Sequence, residues 1–306
     1  MKTPTILVPV VVTVLTCPLA LGQQDFSKTE IKTTHVAGNV YMLQGEGGNI
    51  GVSAGPDGLL IVDDEFAPLA DKIEAALKQI NPGKLKFVLN THFHGDHTGA
   101  NAHFGRQAPI IAHANVRKRL ARTPLAREAL PVVTFDESLS VHFNGEEIKV
   151  IHVPSGHTDS DSLIFFTKSN VVHMGDQFFC GRFPNIDLGG GGDVHGYLRN
   201  VEQAIEKIPP NAKIIPGHGP LGTIDELKTF REMLADTSSF VEKEIAAGKT
   251  LDQVKAAKIT ADYDPRWDVS NTFWSTDKFV EAVYKTLQPK SPPKPAAAAT
   301  PKKKNP

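Results

Sequence analysis

The sequence predicts an α/β protein built as a four-layer αββα sandwich in a single domain, with two β-sheets face to face and helices on both outer sides. Each half of the chain contains a run of short apolar segments separated by turn residues, a pattern typical of strands. Helical patterns flank both runs. A cluster of histidines also begins where a buried strand is expected to end, which is where sites are usually built on a rigid sheet.

In the first half, residues 36–64 alternate apolar runs with Gly, Asn and Pro-Asp-Gly turn signals, so we predict consecutive antiparallel strands. A helical pattern follows over residues 69–80 and stops at "NPG". The segment "LKFVLNT" has the β-branched and aromatic content of a buried strand. After it we expect a short helix over residues 98–105, a strand at "APIIAH" and a helix at "ANVRKRLAR".

The second half repeats this alternation. We predict strands near residues 132–135, 139–143, 147–153, 162–167 and 171–174. They are followed by a glycine-rich loop at residues 189–192, a helix over 197–207, a strand at "KIIPG", and helices over 223–247, 251–257 and 272–287. The order of these elements, more than any single one, favours the sandwich.

Composition describes a globular body of residues 23–288 with an acidic balance. The chain has 306 residues, of which 40% are hydrophobic and 22% charged. All 34 Asp and Glu lie in the body, whereas one of the 33 Lys and Arg precedes it and five follow it, which leaves a net charge of −7. This balance argues against a nucleic-acid partner for the body. The oligomeric state is not predicted.

The first 22 residues resemble an export signal. Lys2 precedes an apolar run from residue 6 to 15, and small residues follow up to Gly22, so we predict cleavage after Gly22. The run is shorter than the about 20 residues that cross a bilayer, so a retained anchor is the alternative, and after cleavage no stable membrane anchor remains. We therefore expect a periplasmic protein, with secretion open.

Two further features follow from the ends of the chain. Removing the signal also removes Cys17 and leaves Cys180 as the single cysteine, so no intramolecular disulfide is available to the mature chain. The last 18 residues, 289–306, are rich in Pro, Ala and Lys and contain no acid. This composition predicts a disordered tail.

The stretch "VLNTHFHGDHTGANAHF" at residues 88–104 carries five potential metal ligands, namely His92, His94, Asp96, His97 and His103. Imidazole and carboxylate suit Zn²⁺ or another first-row divalent ion. His92 and His94 point to one side of an extended strand end, whereas Asp96 and His97 lie beyond a glycine at which the chain can turn. The spacing predicts two groups of ligands aimed at adjacent points, with His103 an ordinary helix residue.

The motif "THFHGDH" resembles the signature of the metallo-β-lactamase superfamily, whose fold is the αββα sandwich. Members need further ligands later in the chain, and this sequence has a candidate for each of them. "VPSGHTDSDS" supplies His157, "VVHMGDQFF" supplies Asp176 and "KIIPGHGP" supplies His218. The resemblance covers residues 30–235, with four separated motifs in the expected order.

The resemblance implies two metal ions per subunit. The first would be held by His92, His94 and His157, the second by Asp96, His97 and His218, and Asp176 would bridge them. The expected ions are Zn²⁺, with Fe or Mn as alternatives. A hydroxide shared by the ions would attack a polarised carbonyl, and Asp96 would act as the catalytic residue that orients it. Cys180 is the weaker alternative to Asp176 as a ligand, because a lone cysteine is more often buried in the core.

The same resemblance and the local composition indicate roles for residues near the ligands. Asp63 and Asp64 end a strand and resemble the family's Asp that hydrogen-bonds the His-rich loop. The segment 177–196 follows Asp176 and mixes aromatics, one cation and glycines, which suits an apolar substrate with a carboxylate. Its candidate substrate residues are Phe178, Arg182, Phe183 and His195. The alternative is that the phenylalanines are core and the glycines only a turn.

The resemblance implies a small-molecule substrate. The bond that is hydrolysed is that of a β-lactam, a lactone, an ester or a thioester, and the sequence does not choose among them. Export together with the fold favours β-lactamase-like activity. A glyoxalase II-like thioesterase shares the implied ligand set, but Arg266, Lys278 and Lys285 give no convincing match to its glutathione-binding residues. A mononuclear iron sulfur dioxygenase keeps most of the same ligands. A non-catalytic metal-bound binding protein is the hypothesis from another class, and a missing ligand would favour it.

Overall fold

Two β-sheets form the centre of the fold in this computed structural model, which describes residues 25–267 and 275–288. The first sheet contains β1 (Lys32–Ala37), β2 (Val40–Gln44), β3 (Ile50–Gly55), β4 (Gly58–Val62), β5 (Leu85–Asn90), β6 (Ile110–His113) and β7 (Val133–Phe135), paired in this order. The second contains β8 (Ser138–Phe143), β9 (Glu146–His152), β10 (Ser162–Phe166), β11 (Val171–Phe179) and β12 (Lys213–His218), paired in the order β12-β11-β10-β9-β8. The predicted signal and tail lie outside the described residues.

Helices cover the outer faces of both sheets. They are α1 (Ala70–Ile80), α2 (Gly95–Thr98), α3 (Asn101–Phe104), α4 (Ala114–Leu120), α5 (Val194–Lys207), α6 (Ile224–Ala246), α7 (Leu251–Ala256), α8 (Asp264–Trp267) and α9 (Thr276–Leu287). Within the described ranges, none of them has the length and apolar content needed to span a membrane.

Three apolar cores separate the four layers. Strand β4 shows why, because its side chains alternate between faces: Leu60 packs with Ile148 between the two sheets, whereas Ile61 packs toward α1. The third core lies between the second sheet and helices α5, α6 and α9, where the rings of Tyr197 and Phe230 are 5.8 Å apart. The αββα sandwich expected from the sequence is therefore confirmed.

Strand direction brings several loops to one end of the sandwich. Strands β1 to β4 form an antiparallel meander, and β4 to β7 run parallel. In the second sheet, β11 and β12 also pair in parallel. The carboxyl ends of parallel strands lie at the same edge, so the loop after β5 and the ends of β11 and β12 become available to a common site.

The structure differs from the sequence prediction in two places near this edge. The predicted helix over 98–105 is two shorter helices, α2 and α3. Strand β11 was expected to end at residue 174, but it continues to Phe179, so Asp176 lies inside a strand. Gly175 has a φ of 50° and reads as a turn in the sequence. The register between β11 and β12 is irregular at Gly175, and the two strands pair again beyond it.

Candidate metal centre

Seven side chains meet at this end of the sandwich. The four from the His-rich motif follow β5, His157 lies in the loop after β9, Asp176 lies within β11, and His218 is the last residue of β12. Their ligand atoms form two groups, each with atoms within 4.8 Å of one another. The first group is His92, His94, His157 and Asp176, and the second is Asp96, His97 and His218.

The first group has the spacing of a tetrahedral site. His94 Nδ1 is 3.1 Å from His92 Nε2 and 2.9 Å from His157 Nε2. Asp176 Oδ2 is 3.2 Å from His157 Nε2 and 3.8 Å from His92 Nε2. Ligand atoms about 2.1 Å from a zinc ion lie about 3.4 Å apart at the corners of a tetrahedron, so these distances fit one ion.

The second group faces the other oxygen of the same carboxylate. His97 Nε2 and His218 Nε2 are 3.3 Å apart, and Asp96 Oδ2 is 3.3 Å from His218 Nε2. Asp176 Oδ1 is 3.1 Å from His97 Nε2 and 3.5 Å from His218 Nε2. This oxygen is buried and has no hydrogen-bond donor of suitable geometry in the described part of the chain. Asp176 therefore presents one oxygen to each group.

The imidazoles of four ligands are oriented through their other ring nitrogen. The pairs are His92 Nδ1 with Thr91 Oγ1 at 3.0 Å, His94 Nε2 with Asp187 Oδ2 at 2.9 Å, His97 Nδ1 with Asp63 Oδ2 at 2.8 Å, and His157 Nδ1 with the carbonyl of Asn185 at 2.8 Å. When these nitrogens donate, the ligand atoms carry lone pairs directed at the same point. Such lone pairs about 3 Å apart repel unless a cation lies between them, so the ring orientations fit metal ligands.

Asp63 sets the orientation of imidazoles in both groups. Its Oδ1 accepts the Thr91 N–H at 2.7 Å, and its Oδ2 accepts the Thr91 hydroxyl at 2.7 Å in addition to His97. Because the Thr91 hydroxyl donates to Asp63, it is left as an acceptor for His92 Nδ1. Asp63 has a φ of 66°, a left-handed conformation that Asp tolerates better than most residues. One buried carboxylate thus links the two groups.

Asp64 and Glu65, the next two residues, are also fully buried but hold the backbone instead. Asp64 Oδ1 accepts the N–H of Ala100 at 3.0 Å, and burial raises the pKa of Asp64 well above its usual value. Glu65 was not singled out from the sequence. Its carboxylate accepts the N–H groups of Glu46 and Gly47, and so fixes the loop between β2 and β3. That loop lies against the ligands, since a Cβ at Gly48 would meet the ring of His97.

Burial and charge decide the protonation of the ligands. Burial lowers the pKa of His157 to about 4 and that of His92 well below 6.5, so both imidazoles are neutral near pH 7. For Asp176, burial raises the pKa, but the imidazoles of His97 and His218 outweigh it and bring the pKa well below 3.8. The surrounding carboxylates raise the pKa of His97 well above 6.5 despite its burial, so binding of a divalent ion would displace its proton.

The candidate substrate residues fall into different places. Phe178 and Phe183 are buried in the core beneath the outer helices, where Phe183 stacks on Phe279 at 5.4 Å. This placement corrects the prediction that they contact substrate, because their rings already fill the space between sheet and helices. His195 is exposed on α5, with its Nε2 3.4 Å from a carboxylate oxygen of Glu242, so it faces the outer helices. Arg182 is half-buried, and burial lowers its pKa.

Asp187 is the contact that the sequence did not reveal. Its Oδ2 accepts from His94, its Oδ1 accepts the N–H of Gly190 at 2.8 Å, and the hydrogen bond from His94 lowers the pKa of Asp187 to about 2. In the sequence it precedes a leucine and four glycines, which indicates only a turn. The contact exists because the loop after β11 folds back over the His-rich motif.

Cys180 and the other histidines lie outside the two groups. Cys180 is buried, and burial raises its pKa to about 12, as expected for a core thiol. His173 contacts the backbone carbonyl of Asn49 at 3.0 Å. The remaining histidines are His35, His103, His113, His142, His152 and His195, and neither ligand group includes any of them.

Comparison with known proteins finds relatives over the part of the chain that contains the two ligand groups. Residues 33–218 match the family model of the metallo-β-lactamase superfamily. The hydroxyacylglutathione hydrolase of Nitrosococcus oceani is 30% identical over 155 residues, which are 49% of this chain and 55% of that protein. The 2,4-dinitroanisole O-demethylase subunit alpha of a Nocardioides species is 29% identical over 136 residues, 43% of this chain and 42% of that protein. The chain thus spans about half the length of these relatives.

Solved structures share the fold at lower sequence identity. A metallo-β-lactamase from Pontibacter korlensis superposes with a TM-score of 0.61 at 16% identity, covering 68% of this chain and all of that one. The DIM-1 metallo-β-lactamase superposes with a TM-score of 0.59 at 19% identity, covering 67% of this chain and 97% of the other. Because the family model covers more than half of the chain, the protein belongs to the metallo-β-lactamase superfamily.

Proposed function

We propose that the protein is a dinuclear metal-dependent hydrolase that cleaves an acyl bond, with Zn²⁺ as the expected ion at both positions. The observation that carries this proposal is the carboxylate of Asp176, whose Oδ2 faces one group of imidazoles and whose Oδ1 faces the other. A catalytic site must be reachable by water and substrate, and Asp96 of the second group is 27% exposed at its side chain.

The chemistry that two divalent ions supply is activation of water near neutral pH and neutralisation of negative charge on the reacting carbonyl. The side chains of the protein would support this chemistry in different ways. The seven ligands include two carboxylates, and Asp96, 27% exposed at its side chain, is more accessible than Asp176. Asp96 is therefore suited to accept a proton from the attacking water. The imidazoles surrounding it lower the pKa of Asp96 despite its burial, which keeps it in the accepting form.

Asp63, Thr91 and Asp187 act through the ligands. Each holds an imidazole by a hydrogen bond of 3.0 Å or less. Fixing these rings before substrate arrives avoids reorganisation during the reaction.

Among the possible bonds, a thioester or ester is favoured by the curated relatives, since several are hydroxyacylglutathione hydrolases. A β-lactam is the second candidate, favoured by the predicted export signal. We also propose a periplasmic location, which the predicted export signal supports.

A substrate panel tests the proposal. Purified full-length protein is assayed with a chromogenic cephalosporin, a γ-lactone, p-nitrophenyl acetate and an acetyl thioester, with and without EDTA. We expect hydrolysis of at least one, loss with EDTA, and recovery with Zn²⁺. His218→Ala should lose at least about tenfold in rate, whereas the matched His195→Ala, an exposed histidine outside both groups, should not.

No hydrolysis of any panel member by zinc-loaded protein would count against the hydrolase. Oxygen consumption with a persulfide and one iron per chain would favour the sulfur dioxygenase instead.

A further inference from the structure

A cavity of about 510 Å³ lies beside the metal-ligand loop. Its apolar walls include Phe93, Leu120, Leu125 and Ala129, and two arginines, Arg119 and Arg122, border it. The volume falls in the range of about 300 to 1,000 Å³ that is typical of small-molecule pockets. None of the seven ligands lines it, so it is separate from the metal groups.

The cavity adjoins the ligands through one residue. Gly95 lines it and stands between His94 and Asp96, which belong to different ligand groups. A Cβ placed on Gly95 would have no atom within 4 Å apart from its two chain neighbours and the backbone of its own helix, so no other part of the chain covers this residue. A molecule that reacts at the ligand groups would reach the cavity by crossing Gly95.

One wall of the cavity is a fixed arginine. The guanidinium of Arg119 lies 4.8 Å above the centre of the Phe93 ring, and two of its nitrogens donate to Asp159 at 2.7 and 2.6 Å. It also donates to the carbonyl of Gly190 at 2.8 Å. This ion pair neutralises most of its charge, and the stack on Phe93 holds the apolar wall in place.

Arg122 is different, because its side chain is exposed and has no ion pair or hydrogen bond among the residues described here. No acidic residue lines the cavity. The surrounding segment reinforces this sign: residues 97–127 contain six Lys and Arg and no Asp or Glu, in a body with a net charge of −7. An apolar pocket with a free cation at its rim attracts an anion that has an apolar part.

We propose that this cavity binds the apolar part of a substrate whose free carboxylate pairs with Arg122. The inference rests on the proposed hydrolase and names its substrate class, an acyl compound with an apolar chain and one carboxylate. The substrate's bond to be cleaved would lie at the ligand groups, and its apolar chain would cross Gly95. This assignment replaces the buried Phe178 and Phe183 as the apolar surface next to the centre.

Binding of octanoate and of octan-1-ol, its uncharged counterpart, tests the cavity in zinc-loaded full-length protein. Methyl resonances of Leu120 and Leu125 report the position of the ligand by NMR, and both probes should shift them. Arg122→Gln should weaken octanoate binding about two- to fivefold, the range for an exposed ion pair, and leave octan-1-ol unchanged. The matched Arg127→Gln changes a nearby exposed arginine outside the cavity and should affect neither.

A second variant tests the pocket itself. Ala126→Trp fills the cavity from its exposed rim and should weaken both probes about tenfold or more, consistent with losing burial of several methylenes. Equal octanoate affinity in the wild type and Arg122→Gln, or octanoate shifts confined to the ligand histidines, would overturn the proposal. These readouts need no turnover, so a protein that hydrolyses nothing still answers them. If the protein cleaves p-nitrophenyl acetate but shows none of these binding effects, the cavity assignment is wrong and the proposed hydrolase stands.

Discussion

Asp63→Asn is the substitution that most sharply tests how the imidazoles are held. Asp63 is fully buried and accepts three hydrogen bonds, two from Thr91 and one from His97. Asn has nearly the same shape and tolerates a φ of 66° at least as well, so the backbone is not disturbed. What changes is one acceptor oxygen, which becomes an N–H donor, and the negative charge.

The magnitude follows from these contacts. An amide N–H facing His97 Nδ1 favours the tautomer with its proton on Nε2, which is the ligand atom. Losing a hydrogen bond to a buried charge costs about 1.5 to 3 kcal/mol. Loss of such a partner of a metal-ligating histidine lowers metal affinity about 10- to 100-fold, which is about 1.4 to 2.8 kcal/mol. The two estimates agree, and the second group, which contains His97, should be weakened more than the first.

Competition of the protein with a zinc chelator measures this change at each position. Asp64→Asn is the matched control, because Asp64 is equally buried and adjacent in sequence, but its side chain accepts the N–H of Ala100 and no hydrogen bond from a ligand imidazole. Burial favours the neutral form of the Asp64 carboxyl, so an amide changes its charge little. Unchanged zinc affinity in Asp63→Asn, or an equal loss in Asp64→Asn, would refute the assigned role of Asp63.

Three further predictions concern separate parts of the molecule. Asp187→Asn should weaken zinc binding at the first group by about tenfold and leave the second unchanged in the same titration, because the Asp187 carboxylate hydrogen-bonds only the His94 imidazole among the ligand side chains. Phe183→Ala should lower the free energy of unfolding, measured in urea, by about 3 to 5 kcal/mol, because the ring of Phe183 fills the core. KM should stay unchanged. A changed KM with full stability would instead indicate that Phe183 contacts the substrate. His113, stacked on His152 at 3.6 Å, has a pKa lowered to about 4 by burial, so stability measured against pH should be complete above pH 6.5 and decline toward pH 4. His113→Phe should flatten that decline, and an identical profile would contradict it.

Much of the fold could be predicted because strand alternation and turn residues are local signals. The antiparallel strands expected within residues 36–64 correspond to β2, β3 and β4, and β4 shows the reason in its alternating Leu60 and Ile61, whereas β1 begins before that range. The length of β11 could not be predicted, because Gly175 and Asp176 read as a turn. Their pairing depends on β12, which lies nearly forty residues later in the chain.

The candidate ligands were visible in the sequence: residue type and spacing indicated those of the His-rich motif, and the resemblance to the family supplied His157, Asp176 and His218. Their partners were not, since Asp187 and Glu65 become significant only through contacts made when distant loops meet. Phe178 and Phe183 show a related limit: an aromatic beside a metal ligand suits either a core or a substrate wall. Packing against Phe230 and Phe279 decides for the core.

The metal content of four proteins tests the central claim, that Asp176 is shared by two ions. Zinc per chain is measured by elemental analysis after dialysis, together with a fold check by circular dichroism. We expect about two equivalents in the wild type, about one in His157→Ala, about one in His218→Ala, and less than one in Asp176→Ala. A wild type with one equivalent, or an Asp176→Ala protein that is folded and still holds two, would contradict the shared carboxylate.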